Sequence, residues 1–269
     1  MRFLLNTAVF LVLAYLLVVL LAFLLQKKLL FYPTRLPSDF KFRTDRRHEE
    51  IFLNTSDGEK INGLFLSASS DKVILYFHGN AGSLEDWQFV CDDFDSTGFN
   101  FFVVDYRGYG KSTGNISEAG FYKDAQAAYD FLLARGFEAD HIVVYGRSIG
   151  SGVAVHLATH RQIAALILES PYISVEKLAT EKYRYLFPTL YLRYHFDNLS
   201  RINAVKAPLL VIHGRRDDLI PFPHGQALYD AFDGKKQLIA VDGGHHNDLS
   251  RSPQFLPGIL SFLRANVAR

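Results

Sequence analysis

Along the chain, apolar positions change their spacing three times, and each change marks a different kind of element. Residues 3 to 25 carry no charge and have only Asn6 and Thr7 as polar breaks. As a helix this stretch is long enough for the roughly 30 Å hydrocarbon core of a bilayer. Residues 48 to 54 and 60 to 66 then alternate about Asp57-Gly58, which predicts an antiparallel hairpin. Beyond them come short, nearly continuous apolar runs at residues 72–79, 100–108, 141–146, 164–170 and 208–214. Such runs suit strands covered on both faces.

Between these runs the apolar spacing is helical. Leu84, Trp87, Cys91 and Phe94 recur at intervals of three or four, as do Phe121, Ala125, Ala128 and Leu132. Alternating strand and helix predict a mostly parallel α/β sheet with helices on both faces. A last unit, KQLIAVDGG followed by Pro253 to Val267, closes and covers that sheet. Pro171 to Ala207 breaks the rhythm with many aromatics and no clear strand, and reads as a small, lid-like helical insertion over one edge. Trp87 and its aromatic neighbours read as core.

The expected organisation is a transmembrane anchor over residues 1–28, a connector over 29–47 and one domain over 48–269. The apolar stretch ends in Leu24, Leu25, Gln26, Lys27 and Lys28 rather than in small residues, which favours an uncleaved single-pass anchor over a cleaved signal. Lys27, Lys28, Arg35, Lys41 and Arg43 follow it and only Arg2 precedes it. The positive-inside rule therefore places the domain in the cytoplasm, although large domains can be exported against that bias. Lone Cys91 excludes an internal disulfide and leaves the compartment open. With 29 basic and 28 acidic side chains there is no large positive field for nucleic acid, so none is expected as a partner.

The chemistry is expected where strands end. Gly146-Arg147-Ser148-Ile149-Gly150 matches the G-x-S-x-G pattern, in which a serine sits on a sharp turn between strand and helix and glycine on either side relieves a collision. A serine needs a base, and the base needs an orienting acid. Asp217 and Asp218 follow one strand, and His245 and His246 follow the last. Each candidate comes as a pair of neighbours. An oxyanion needs two donors: the backbone N–H of Ile149 and one from the HGNAGS loop at residues 78–83, with Asn80 the first choice and Ala81 the second.

Together, FYP after the anchor, YFHGNAGS, VVDYRGYGKSTG, YGRSIGSG, VIHGRRDDLIP and GGHHND resemble the membrane-anchored serine hydrolase branch of the α/β-hydrolases, which includes bacterial inner-membrane hydrolases and eukaryotic palmitoyl-protein thioesterases. The resemblance runs from about residue 30 to the C-terminus and implies the α/β-hydrolase fold. Its H-G-x-x-D frame falls on Asp217 and its His-Asn-Asp on His246, although the Gly-Gly-His before it leaves His245 where a simpler frame would dispute that choice. It implies a triad of Ser148, His246 and Asp217, no cofactor, and an acyl-enzyme on Ser148.

The expected substrate is a small-molecule or lipid-like ester or thioester with an apolar acyl group, because the anchor keeps the site near lipid and the insertion offers aromatics for a pocket. A peptidase or amidase would use the same triad, and a non-catalytic membrane adaptor is the reading from a different class. His156 and His160 lie one helical turn apart, but Leu157 stands where a zinc protease has its glutamate and no third ligand is apparent, so no metal site is expected. Arg107, in the loop from Asp105 to Gly110, is expected to tie loops together by charge-assisted bonds.

Overall fold

The computed structural model describes residues 1–44 and 46–267; Asp45 of the expected connector and Ala268 and Arg269 of the expected domain lie outside the described residues. Helix α1 (Arg2–Leu30) is followed by the hairpin β1 (His48–Asn54) and β2 (Lys60–Leu66). Then come β3 (Val73–Phe77), β4 (Asn100–Val104), α2 (Glu118–Ala134), β5 (Ile142–Arg147), α3 (Gly150–His160) and β6 (Ala165–Glu169). The chain closes with α4 (Val175–Tyr183), β7 (Leu209–Gly214), α5 (Pro223–Ala231), β8 (Lys236–Val241) and α6 (Phe255–Asn266).

The eight strands form one sheet in the order β8-β7-β6-β5-β3-β4-β2-β1. The hairpin and the β2–β4 pair are antiparallel, and the other pairs are parallel. Alternation within each strand divides the core in two. Leu75, Phe77, Val144, Leu166 and Val211 face Phe121, Ala125, Val153 and Leu228 from α2, α3 and α5. Ile74, Tyr76, Tyr145, Ile167 and Ile212 face Phe94, Phe255, Ile259 and Phe262 on the other side. Both faces of the interior strands are buried, as the continuous apolar runs require.

Local signals account for several boundaries. Ser117 and Ser174 cap α2 and α4 by accepting hydrogen bonds from the N–H groups of Gly120 and Lys177, which satisfies donors the helix leaves open. The segment expected to be a helix from Leu84 makes one α turn, Leu84–Trp87, and continues as tighter 3₁₀ turns, Gln88–Thr97, until Gly98 ends it at φ +70°. The Arg107 guanidinium, 5 % exposed, bonds both oxygens of Asp57 at 2.9 and 3.0 Å and Asp124 at 2.9 Å, joining the hairpin turn to α2.

Two expectations are revised. The aromatic insertion does not lie over an edge: it leaves from β6, an interior strand, and Tyr172 and Phe196 pack onto Gly152 of α3, where a Cβ would come within 2.4 Å of the Tyr172 hydroxyl. Trp87 is half-buried rather than core; its indole covers His78 at 5.4 Å and lies under the Arg147 guanidinium at 5.2 Å, while Nε1 donates to the Ala81 carbonyl.

Candidate active site

The turn from β5 into α3 is tight enough to dictate its residues. Ser148 holds φ +53°, a region costly for a side-chain-bearing residue. A Cβ on Gly146 would meet the Gly150 carbonyl at 2.6 Å, and one on Gly150 would meet the Phe77 carbonyl oxygen at 2.1 Å. Any other residue at these two positions would force the strand and helix apart. The turn is tied down from the neighbouring strand by a hydrogen bond from the Ser148 N–H to the Glu169 carbonyl at 2.9 Å.

Two loops at the same end of the sheet approach that serine. His246 Nε2 lies 3.1 Å from Ser148 Oγ, and its Nδ1 lies 2.7 Å from Asp217 Oδ2. All three residues are buried. Their neighbours go elsewhere: His245 Nδ1 and Asp218 Oδ1 meet at 3.3 Å on the surface, with side chains 53 % and 86 % exposed. Asp217 is further held by N–H donors of Leu219 and Ile220 at 2.9 and 2.8 Å. Burial alone would raise its carboxyl, but hydrogen bonds from His213 and His246 and from the Ile220 N–H outweigh it and hold the group well below the usual carboxylate range.

The loop after β3 completes the arrangement. Asn80 and Ile149 line the same cavity as Ser148, and among the described residues neither backbone N–H is donated to a partner. The Asn80 side chain is committed elsewhere, because Nδ2 donates to the Leu30 carbonyl at 3.0 Å and closes the end of α1. The Asn80 carbonyl in turn accepts from the Tyr32 N–H and the Tyr109 hydroxyl. Any contribution of Asn80 to an anion site therefore comes from its main chain. Ala81 is held in a two-residue parallel bridge with Tyr32. The loop that borders the cavity beside Ser148 is thus braced by the end of the apolar helix.

Several supporting residues were not singled out from sequence. Arg147, the second residue of the motif, pairs with buried Glu169 at 3.3 Å and donates to Asn247 Oδ1 at 3.1 Å, so it ties the turn to the loop that bears His246. Glu169 also accepts from the Tyr145 hydroxyl at 2.7 Å. His213, fully buried, lies 3.4 Å from Asp217 Oδ2 and 2.8 Å from the Ile220 carbonyl. Their signal in sequence was a polar residue at the end of an apolar strand. His78 is buried between Trp87 and Tyr106 and faces Asp105 at 3.5 Å, which fixes the HGN turn.

The cavity above Ser148 measures about 250 Å³. Leu29 and Leu30 at the end of α1, with Tyr32 just beyond it, form one wall, Val175, Leu178 and Tyr183 of α4 another, and Leu219 and Ile220 a third. Lys182 is the only charged residue lining it among the described residues. Histidines 156 and 160 lie outside it: the His156 ring stacks on Tyr122 at 3.6 Å, and His160 Nδ1 faces the His156 carbonyl at 2.8 Å.

Comparison with known proteins agrees with this architecture. Residues 68–201 match a family model described as serine aminopeptidase, S33, a span that contains Asn80 and Ser148 and stops before Asp217 and His246. The chain is 35 % identical over 222 residues to α/β hydrolase domain-containing protein 17B of Xenopus tropicalis, covering 80 % of this chain and 75 % of that protein. It is 34 % identical over 225 residues to α/β hydrolase domain-containing protein 17C of Mus musculus, covering 80 % and 67 %. Among solved structures, an esterase of Pyrococcus furiosus superposes with a TM-score of 0.73 at 21 % identity, over 89 % of this chain and 98 % of that one. With its sheet order, its serine turn and these relatives, the chain belongs to the α/β-hydrolase superfamily.

Proposed function

We propose that this hydrolase is a membrane-anchored serine esterase or thioesterase that cleaves an apolar acyl group through an acyl-enzyme on Ser148. The observation that carries the reading is the hydrogen-bonded chain from Ser148 Oγ through His246 to Asp217, opening onto a cavity walled by the leucines of α1. His246 Nε2 takes the Ser148 proton as Oγ attacks the acyl carbonyl carbon. The N–H groups of Asn80 and Ile149 receive the oxyanion. As the tetrahedral adduct collapses, the C–O or C–S bond to the leaving group breaks, and His246 returns the proton to the departing alcohol or thiol. Water then attacks the acyl-enzyme by the same route, releasing the acid and restoring Ser148. Asp217, held ionised, fixes the imidazole tautomer and stabilises its charged form.

Anchoring rests on α1, whose mean hydropathy reaches 3.2 and whose apolar window is wholly unburied by the domain. The charge pattern after it supports a cytoplasmic domain. A peptidase remains the rival, favoured by the description of the matching family model. An aminopeptidase binds a protonated α-amine, for which a carboxylate near the serine is the fitting partner. The lining here offers Lys182 and no acid among the described residues, which favours acyl esters. The test is purified full-length protein assayed on p-nitrophenyl esters of increasing chain length, acyl thioesters and aminoacyl amides. Ester or thioester cleavage that favours longer chains supports the reading; cleavage of the amides alone overturns it.

A further inference from the structure

The cavity is too small for a whole lipid, and what lies outside its mouth is set by how α1 meets the insertion. Pockets that enclose a drug-sized ligand run from about 300 to 1,000 Å³, whereas this one holds about 250 Å³. The rest of a long acyl substrate must lie beyond the mouth. Alongside that mouth Tyr183, Tyr185, Phe187 and Leu190 are 59, 71, 58 and 82 % exposed. A run of large apolar residues left uncovered in this way marks a contact surface.

What covers the surface is decided by its contacts with α1. Gln26, buried in the apolar helix, accepts from the Arg193 N–H at 2.8 Å and donates toward the Tyr191 carbonyl. Phe23 packs edge-on to Tyr191 and lies under the Arg193 guanidinium. Farther down the helix, the Tyr15 hydroxyl donates to the Tyr185 carbonyl at 2.7 Å. The insertion thus follows α1 for about 17 Å, from Gln26 to Tyr15, at 1.5 Å rise per residue. If the insertion stayed in water, Tyr15 to Gln26 of α1, a stretch with no charged residue, would have to stay in water beside it. Placing that stretch in the hydrocarbon core puts Tyr185 there with it.

We infer that the segment from Tyr183 to Leu190 dips into the bilayer beside α1, so that the catalytic cavity opens into the acyl layer and takes its substrate laterally, the acyl chain still among lipid tails. This rests on the anchored-esterase reading above. The segment's chemistry suits the location. Backbone groups in lipid need a partner, and the Tyr185 carbonyl has the Tyr15 hydroxyl. Arg184 is the only charged residue from 183 to 190; its guanidinium stacks on the Tyr185 ring and bonds the Tyr185 hydroxyl, so the charge has partners within the segment.

The test uses full-length protein in phosphatidylcholine–phosphatidylglycerol vesicles, with an environment-sensitive thiol dye at Phe187→Cys, Leu190→Cys or Glu138→Cys. Glu138 is exposed just before β5, at the opposite end of the sheet from the cavity. Native Cys91 stays silent, being fully buried with its thiol pushed up to about 12 by burial. Dyes at 187 and 190 should be quenched by nitroxide carried on lipid tails, and the dye at 138 by iodide. If all three respond to iodide alike and none to the lipid nitroxide, the inference is overturned. A second arm compares wild type with Phe187→Asp/Leu190→Asp on a short soluble ester and on a long-chain ester dissolved in the vesicles. The soluble rate should hold within twofold and the bilayer rate fall at least tenfold. Equal loss on both, or on neither, overturns lateral delivery. Lipid quenching at 187 and 190 in a protein that cleaves no ester would sink the esterase reading while upholding the membrane contact.

Discussion

Replacing Gly150 by alanine tests whether the serine turn is built by close approach. The new Cβ would lie 2.1 Å from the Phe77 carbonyl oxygen, 2.7 Å from its carbon and 2.8 Å from the His78 carbonyl oxygen. Comfortable contact begins near 3.5 Å, so α3 and the end of β3 must separate by about 1 Å. All three atoms are backbone and cannot rotate away. Overpacking of this kind costs about 1–3 kcal/mol, which for a domain of this size lowers the melting temperature by about 2–12 °C. The chemical cost should be larger, because Phe77 and His78 lead directly into Gly79 and Asn80. A 1 Å displacement of a positioned group costs about 10²-fold in rate. The assay is the second-order rate of fluorophosphonate labelling in detergent, read beside thermal melting. Gly98→Ala is the control: at φ +70° with nothing within 4 Å, it should cost about 1–2 kcal/mol of strain and leave labelling unchanged. A folded Gly150→Ala protein that labels within threefold of wild type would refute the reasoning.

Three further outcomes follow from the same geometry. Asp217→Asn should keep the fold while lowering ester turnover on the order of 10⁴-fold by favouring the wrong imidazole tautomer, whereas Asp218→Asn, altering a solvent-facing carboxyl, should stay within twofold; steady-state kinetics on both variants decides. Among the described residues, Arg147→Ala leaves the Glu169 side chain, 4 % exposed, with only the Tyr145 hydroxyl and should destabilise by about 3–5 kcal/mol; denaturant melts measure this, and a loss below 1 kcal/mol would contradict the pairing. Because the folded Asp217 carboxyl is held below its ordinary value, its contribution is complete above the unfolded value of about 3.9 and fades as pH falls toward the folded one; acid titration should show wild type losing more stability below pH 4 than Asp217→Asn.

Much of this architecture was legible because the interior parallel strands are short, apolar on both faces and separated by helical spacing. Val143 and Val144 point to opposite cores, so the run between them has no polar break to mislead. The serine turn was legible for the same physical reason, since two glycines flanking a serine answer two backbone collisions. The doublets were not decidable from residue type: Asp217 and Asp218 differ only in which way the turn aims them, and the N–H groups of Leu219 and Ile220 fix that aim. Nor could spacing reveal the pairing of Arg147 with Glu169, which depends on β5 and β6 lying in register at those residues. The insertion was misplaced because its aromatics speak of packing without naming a surface; Tyr185 and Tyr191 meet α1, a partner distant in sequence.

The most direct test of the central claim is fluorophosphonate labelling of the detergent-solubilised full-length protein, comparing wild type with Ser148→Ala, His245→Ala and His246→Ala. Wild type and His245→Ala should label, and Ser148→Ala and His246→Ala should stay dark. A folded wild-type protein that does not label, or a Ser148→Ala protein that does, would contradict the account.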